Sequence, residues 1–238
     1  MPSFTGRASR TRAKGTPMLR LTAHDGHQLD AYIARPSGKV CGGVVIAQEM
    51  YGITDYLTSV CDFYASHGYV AIAPALYDRK ERNLVLAYDE GPQHNYAQEL
   101  FNGWDWPAAL VDLDAARAAI ADVGKVGIVG FCFGGSLSWM AACRYSYACA
   151  VAYYGSDMPK YVDETAKCPV LAQVGDQDKS FPADQIAAFR KVHPEVEFVI
   201  HPGAPHGFDN PMRPARYHAE ACQHGRAETL AFLARHVG

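Results

Sequence analysis

The chain lacks the cysteine patterns that staple small secreted domains or hold zinc. Its seven cysteines (Cys41, Cys61, Cys132, Cys143, Cys149, Cys168 and Cys222) are odd in number, lie scattered through apolar segments and include no C-x-x-C pair. Such usage suits a reducing cytoplasm, where a working thiol stays reduced. Strong charge of either sign is also lacking. The 22 Lys and Arg against 25 Asp and Glu leave a net charge of -3, with a pI near 6.3. That balance gives no general attraction for nucleic acid or an anionic membrane. No apolar run approaches the roughly 18 residues a membrane span needs. Internal repeats and a G-x-G-x-x-G dinucleotide fingerprint are missing as well. Neither a cofactor nor a metal is expected.

What is there is length and alternation. At 238 residues the chain can bury the core of one large α/β domain, expected over 18–238. Residues 1–17 read differently: Arg7, Arg10, Arg12 and Lys14 lie among Ser, Thr and Gly with no acid and no apolar core. A loose solvated basic arm is the expectation rather than a secretory signal. An organelle transit peptide has a similar composition, and Met18 opens the first regular segment.

Strand patterns occur at 18–23, 28–34, 42–47, 69–73, 126–129, 149–154, 170–174 and 196–200. Helical spacing runs through Leu57, Val60, Cys61 and Tyr64 to a His67-Gly68 stop, then over 106–121, 136–143, 183–192 and 217–236. Residues 80–103 are polar and read as irregular, the kind of segment that forms a pocket wall. Strand and helix in alternation predict one mostly parallel central sheet with helices on both faces. Ligands bind such sheets beyond the carboxyl ends of the strands.

One junction carries chemistry. The strand 126–129 runs through Gly130-Phe131-Cys132-Phe133-Gly134-Gly135 into a helix, the pattern G-x-C-x-G-G. Glycines at such a turn let the middle residue take a sharp, strained backbone position that exposes its side chain at the sheet edge. The helix N-terminus favours thiolate over thiol, and the next backbone N–H, that of Phe133, points at whatever the sulfur attacks. Alone the motif is weak, since a small buried cysteine fits it equally well. An acid and a histidine on later strand ends strengthen it.

The strand ending at Val174 leads into Gly175-Asp176-Gln177-Asp178, and the loop shape favours Asp178 over Asp176 as the residue that reaches back over the sheet edge. After the last strand comes His201-Pro-Gly-Ala-Pro-His206, where His206 lies on a Gly/Pro-shaped loop and His201 belongs to the strand end. Cys132, Asp178 and His206 stand in the nucleophile–acid–base order of α/β-hydrolases. In that reading His206 supports the thiolate and protonates the leaving oxygen, and Asp178 fixes its tautomer. Backbone N–H groups of Phe133 and Met50 hold the oxyanion.

With these residues in place, the chain from about Leu19 onward resembles the dienelactone hydrolases (carboxymethylenebutenolidases). The likeness rests on Gln48-Glu49 followed by Gly52, on Pro74-x-Leu76-Tyr77-x-Arg79 and on the cysteine elbow. It rests further on Tyr153-Tyr154-Gly155, Gly175-x-x-Asp178 and His206-Gly-Phe208. The resemblance implies an α/β-hydrolase fold with Cys132 as nucleophile and Asp178 and His206 as acid and base. It also implies that Glu49 holds the resting thiol and later helps generate the thiolate; a strand-end carboxylate paired with an arginine is the plainer role for Glu49. Arg79 is implied as a clamp for a substrate carboxylate. A second arginine is expected four residues past the histidine, where Asn210 stands, and Arg213 or Arg216 are candidates for the same space. Tyr51 and Tyr153 are expected to line the pocket, and Trp106 either the pocket or the core.

The expected function is a cytoplasmic, monomeric, cysteine-dependent hydrolase that opens a small-molecule lactone or short ester through a thioester. A broad small-ester esterase or thioesterase is the nearest alternative. A catalytically silent protein of the same fold, binding a ligand or sensing redox state at Cys132, is the alternative of another class.

Overall fold

The computed structural model describes residues 18–88 and 91–238, so the basic arm expected over 1–17 lies outside the described residues. In chain order the strands are β1 (Met18–Thr22), β2 (Gln28–Ala34), β3 (Gly42–Ala47), β4 (Tyr69–Pro74), β5 (Val126–Phe131), β6 (Ala150–Tyr153), β7 (Val170–Gly175) and β8 (Glu197–His201). They form a sheet in the order β1-β2-β4-β3-β5-β6-β7-β8, antiparallel at the β1, β2 and β4 pairings and parallel from β4 onward. The helices are α1 (Asp55–Ser66), α2 (Pro92–Asn102), α3 (Trp106–Ala119), α4 (Phe133–Arg144), α5 (Ala183–Val192) and α6 (Ala219–His236). This is the α/β-hydrolase architecture, with helices on both faces.

Why the central strands read as unbroken apolar runs is clear from the two cores. Along β3, Val45 and Ala47 pack on one face with Leu113 of α3, Leu137 of α4 and Phe189 of α5. Val44 and Ile46 pack on the other with Tyr56, Leu57 and Val60 of α1 and Phe232 and Leu233 of α6. Successive side chains point to opposite faces, so a strand covered on both sides must be apolar at every position.

The segment 80–103 departs from its expected irregularity, because α2 occupies Pro92–Asn102. Proline suits the first turn of a helix, where its missing N–H would have had no partner. Only Ala97 and Leu100 of this helix are buried. So narrow an apolar face leaves little periodic signal to read. The element boundaries elsewhere differ from the sequence pattern by a few residues at strand and helix ends. The largest gain is α4, which begins at Phe133 rather than Ser136. Among the described residues no helix is long and apolar enough to cross a membrane.

Candidate active site

The rim beyond the carboxyl ends of β3, β5, β7 and β8 collects the chemistry. In the parallel register Ala47 of β3 lies opposite Gly130 of β5. Glu49 and Cys132, each two residues further on, therefore leave the sheet side by side. Cys132 has φ 56° and ψ -114°, a left-handed-side conformation rare for a residue with a side chain. The surroundings hold it there. Its N–H donates to the Tyr153 carbonyl at 3.0 Å, and the Gly134 N–H donates to the Gln48 carbonyl at 3.0 Å. A Cβ on Gly130 would overlap the Gly134 carbonyl, and one on Gly134 would overlap the Ala47 carbonyl. The glycines thus let strand end and helix start approach closely. The sulfur-bearing residue is only partly buried, so the thiol is not sealed within the core.

Three segments converge here. The Cys132 Sγ lies 3.2 Å from His206 Nε2, and His206 Nδ1 lies 2.8 Å from Asp178 Oδ2. An ionised carboxylate only accepts, so Nδ1 carries a proton and Nε2 faces the sulfur. Asp178 is buried, and its other oxygen accepts from the Ser180 N–H at 2.8 Å. Asp176 is solvent-exposed and caps a turn instead, accepting from the Gly203 N–H at 2.7 Å. Burial opposes the charged form of His206, but the Cys132 sulfur and the Asp178 carboxylate outweigh it and raise the imidazole's pKa. His201 packs in the core, where its Nε2 meets Gln173 Oε1 at 2.7 Å and burial holds its pKa down near 4.

Phe133 is the first residue of α4, so its N–H has no acceptor inside the helix. The neighbouring turn Gln48-Glu49-Met50 is pinned from several sides. Leu76 N–H donates to Gln48 Oε1, and the Tyr77 hydroxyl donates to the Met50 carbonyl at 2.9 Å. Among the described residues the Met50 N–H has no partner.

Glu49 departs from its expected contact with the resting thiol. Its Oε2 accepts from Asn210 Nδ2 at 2.9 Å and from the Tyr88 hydroxyl at 3.0 Å, whereas the sulfur's partner is His206. Burial raises the Glu49 pKa, and Arg213, the two hydrogen bonds and His206 act against that rise. Arg79 departs as well. Its Nε and Nη2 reach the two oxygens of Asp112 at 2.7 Å each, and Nη1 reaches Asp25 at 2.8 Å. Asp112 is fully buried on α3 and needs a counter-charge, so the guanidinium is committed to structure rather than to a ligand. Tyr153 is not a pocket residue either. Alternation along β6 turns its ring into the core beneath α6, where its hydroxyl meets Thr229 Oγ1 at 2.7 Å.

Other residues take those places. Tyr154, with φ 40°, lays its ring edge-on to His206 at 5.0 Å between centroids. Tyr51 stands against Tyr88 at 4.6 Å, bonds His94 Nδ1 at 2.8 Å through its hydroxyl, and has its pKa pushed up to about 12 by burial. The Arg213 guanidinium lies over both rings, 5.3 Å from Tyr51 and 5.7 Å from Tyr88. Beside them opens a cavity of about 330 Å³ lined by Tyr88, His94, Met212, Arg213 and Arg216 among others. Trp106 packs edge-on to Phe133 at 4.9 Å as part of the core margin. Tyr88 and His94 lie in the segment read as irregular, and Asn210 registered only as a missing arginine; a Tyr-Tyr-Gly run at a strand end was the available signal for Tyr154. Among the described residues no cluster of three or more His, Cys, Asp or Glu is arranged to hold a metal.

Comparison with known proteins matches this chain to one family. The sequence profile of the dienelactone hydrolase family matches residues 29–237. A Yersinia pestis protein assigned as a carboxymethylenebutenolidase is 34% identical over 233 residues, covering 89% of this chain and 85% of its own. The carboxymethylenebutenolidase of Pseudomonas putida is 32% identical over 174 residues, covering 71% of this chain and 74% of its own. Among solved structures, a Klebsiella pneumoniae protein assigned to the dienelactone hydrolases superposes with a TM-score of 0.81 at 28% identity, over 92% of this chain and 98% of its own.

Proposed function

This chain belongs to the dienelactone hydrolase family, and on that premise we propose that it opens a lactone or short ester through a thioester on Cys132. Membership makes it a carboxylic ester hydrolase. The observation that carries the finer reading is the imidazole of His206, 3.2 Å from the sulfur on one side and 2.8 Å from Asp178 on the other.

In the proposed reaction the Cys132 thiolate adds to the acyl carbon, and the developing oxyanion takes the N–H groups of Phe133 and Met50. Loss of one such donor typically costs about 3 to 4 kcal/mol of transition-state stabilisation. The acyl C–O bond breaks, and His206 gives its proton to the departing oxygen. In a lactone that oxygen stays tethered to the acyl group. Water then attacks the thioester with His206 as base, and the carboxylic acid leaves as the thiolate re-forms. Asp178 holds the imidazole in the required tautomer throughout.

A substrate carboxylate would meet Arg213 and Arg216 at the cavity mouth rather than Arg79. Neither Arg213 nor Arg216 has a carboxylate in ion-pair contact among the described residues. The substrate is a small molecule, and the seven unpaired thiols suit a reducing cytoplasm.

Intact-protein mass spectrometry during turnover of dienelactone or p-nitrophenyl acetate tests the covalent step. An acyl adduct on Cys132 is expected, and turnover should fall by roughly 10³-fold or more in Cys132→Ser and in His206→Ala. Undiminished hydrolysis by either variant would remove the mechanism.

A further inference from the structure

Glu49 is a buried carboxyl beside the nucleophile whose two oxygens are treated very differently. Oε2 accepts two hydrogen bonds, from Asn210 Nδ2 and the Tyr88 hydroxyl, while Oε1 is buried with no partner among the described residues. Both donors are themselves fixed. Asn210 Oδ1 accepts the Met212 N–H at 2.9 Å, so its amide nitrogen is the end left to face Glu49. The preceding residue, Asp209, is fully buried and locked by a bidentate pair with Arg226 and by the Tyr56 hydroxyl at 2.7 Å. On the other side the Tyr88 hydroxyl also meets Thr54 Oγ1, the N-cap of α1, at 2.7 Å. Turning this carboxyl toward the sulfur that leaves the sheet beside it would break both hydrogen bonds.

We propose that Asn210 and Tyr88 are positioning residues which hold the Glu49 carboxyl off Cys132, leaving the thiol paired with His206 before any substrate arrives. This rests on the reading of Cys132 as nucleophile. A carboxylate released next to the sulfur would accept the S–H hydrogen and repel the thiolate, and both effects keep sulfur in its unreactive form. The tether therefore sets whether the enzyme waits for its substrate or stands ready.

The test uses the full chain without substrate, following alkylation of Cys132 by iodoacetamide at neutral pH with peptide mass spectrometry. Rapid modification of Cys132 is expected in the wild type, well ahead of the partly exposed Cys41 and Cys168. Asn210→Ala and Tyr88→Phe should each slow it at least about tenfold, since alkylation follows the thiolate fraction. The double variant Asn210→Ala with Glu49→Gln should alkylate faster than Asn210→Ala alone. Loss of packing alone would not produce that recovery, because the effect of Asn210 would not then pass through Glu49. Circular dichroism melting checks that each variant is folded, and Tyr88→Phe keeps the question answerable should Asn210→Ala unfold. Wild-type rates in both single variants, or no recovery in the double variant, would overturn the proposal. The alkylation rate needs no ester turnover. A chain that alkylates as expected but hydrolyses nothing would refute the hydrolase mechanism and leave the tether standing.

Discussion

At the residue scale the site depends on how each charge is partnered. Asp178 to Asn would leave the ring geometry in place but favour the wrong tautomer of His206, and turnover should fall about 10³- to 10⁴-fold with little change in KM, read by steady-state kinetics. Arg213 to Ala should raise KM for a carboxylate-bearing lactone about tenfold or more, the worth of one charge-assisted contact, while leaving p-nitrophenyl acetate hydrolysis nearly unchanged. Equal effects on both substrates would place Arg213 in the scaffold. His206 also links the site to stability. Its folded pKa is raised, to about 10, so the folded state binds the proton more tightly than the unfolded chain, whose value is near 6.5. That stabilisation is complete below about pH 6.5, declines above it and is gone once pH passes the folded value. The melting temperature of the wild type relative to His206→Ala should narrow accordingly between pH 6.5 and 10.

At the scale of elements, the proposed oxyanion site requires the close approach of β3, β5 and α4. A Cβ at Gly134 would strike the Ala47 carbonyl, a backbone atom that cannot swing aside as a side chain can. Gly134→Ala should therefore cost about 1 to 3 kcal/mol in denaturant unfolding. Turnover should drop more than the stability loss explains, because the Phe133 and Met50 amides move apart. The segment before α3 shows the reverse case, in which polar composition concealed a helix. Ala97 and Leu100 are the buried residues of α2, with Tyr96 and Phe101 packed at the core margin, and His94 and the preceding Tyr88 add polar contacts that no periodicity records.

At the scale of the whole molecule, Arg79 joins parts of the chain that are far apart in sequence. It ties the end of β4 to α3 through Asp112 and to the β1–β2 turn through Asp25. Removing the guanidinium would leave Asp112 buried without a counter-charge. Arg79→Met should lower unfolding free energy by roughly 3 kcal/mol, about 6 to 12 °C in melting temperature for a chain of this size. The folded fraction should keep its KM for a carboxylated lactone. A large rise in KM without loss of stability would return Arg79 to the binding site.

The alternation of apolar runs with helical spacing, and the short G-x-C-x-G-G turn, are local properties. They depend on backbone sterics and periodicity, so the sheet, its two covered faces and the sharp conformation of Cys132 were legible from sequence alone. The order of Cys132, Asp178 and His206 along three strand ends likewise predicted that they meet, because parallel strands deliver their carboxyl ends to one rim. What each remaining charge faces was not legible. Arg79 and Arg213 are the same residue type, yet a buried Asp112 claims one and two tyrosine rings take the other. Tyr153 and Tyr154 are adjacent, yet strand alternation buries the first and a turn brings the second to the imidazole. Only the packed tertiary structure decides such assignments, since long side chains choose partners by distance in space, and separation along the chain carries no record of it.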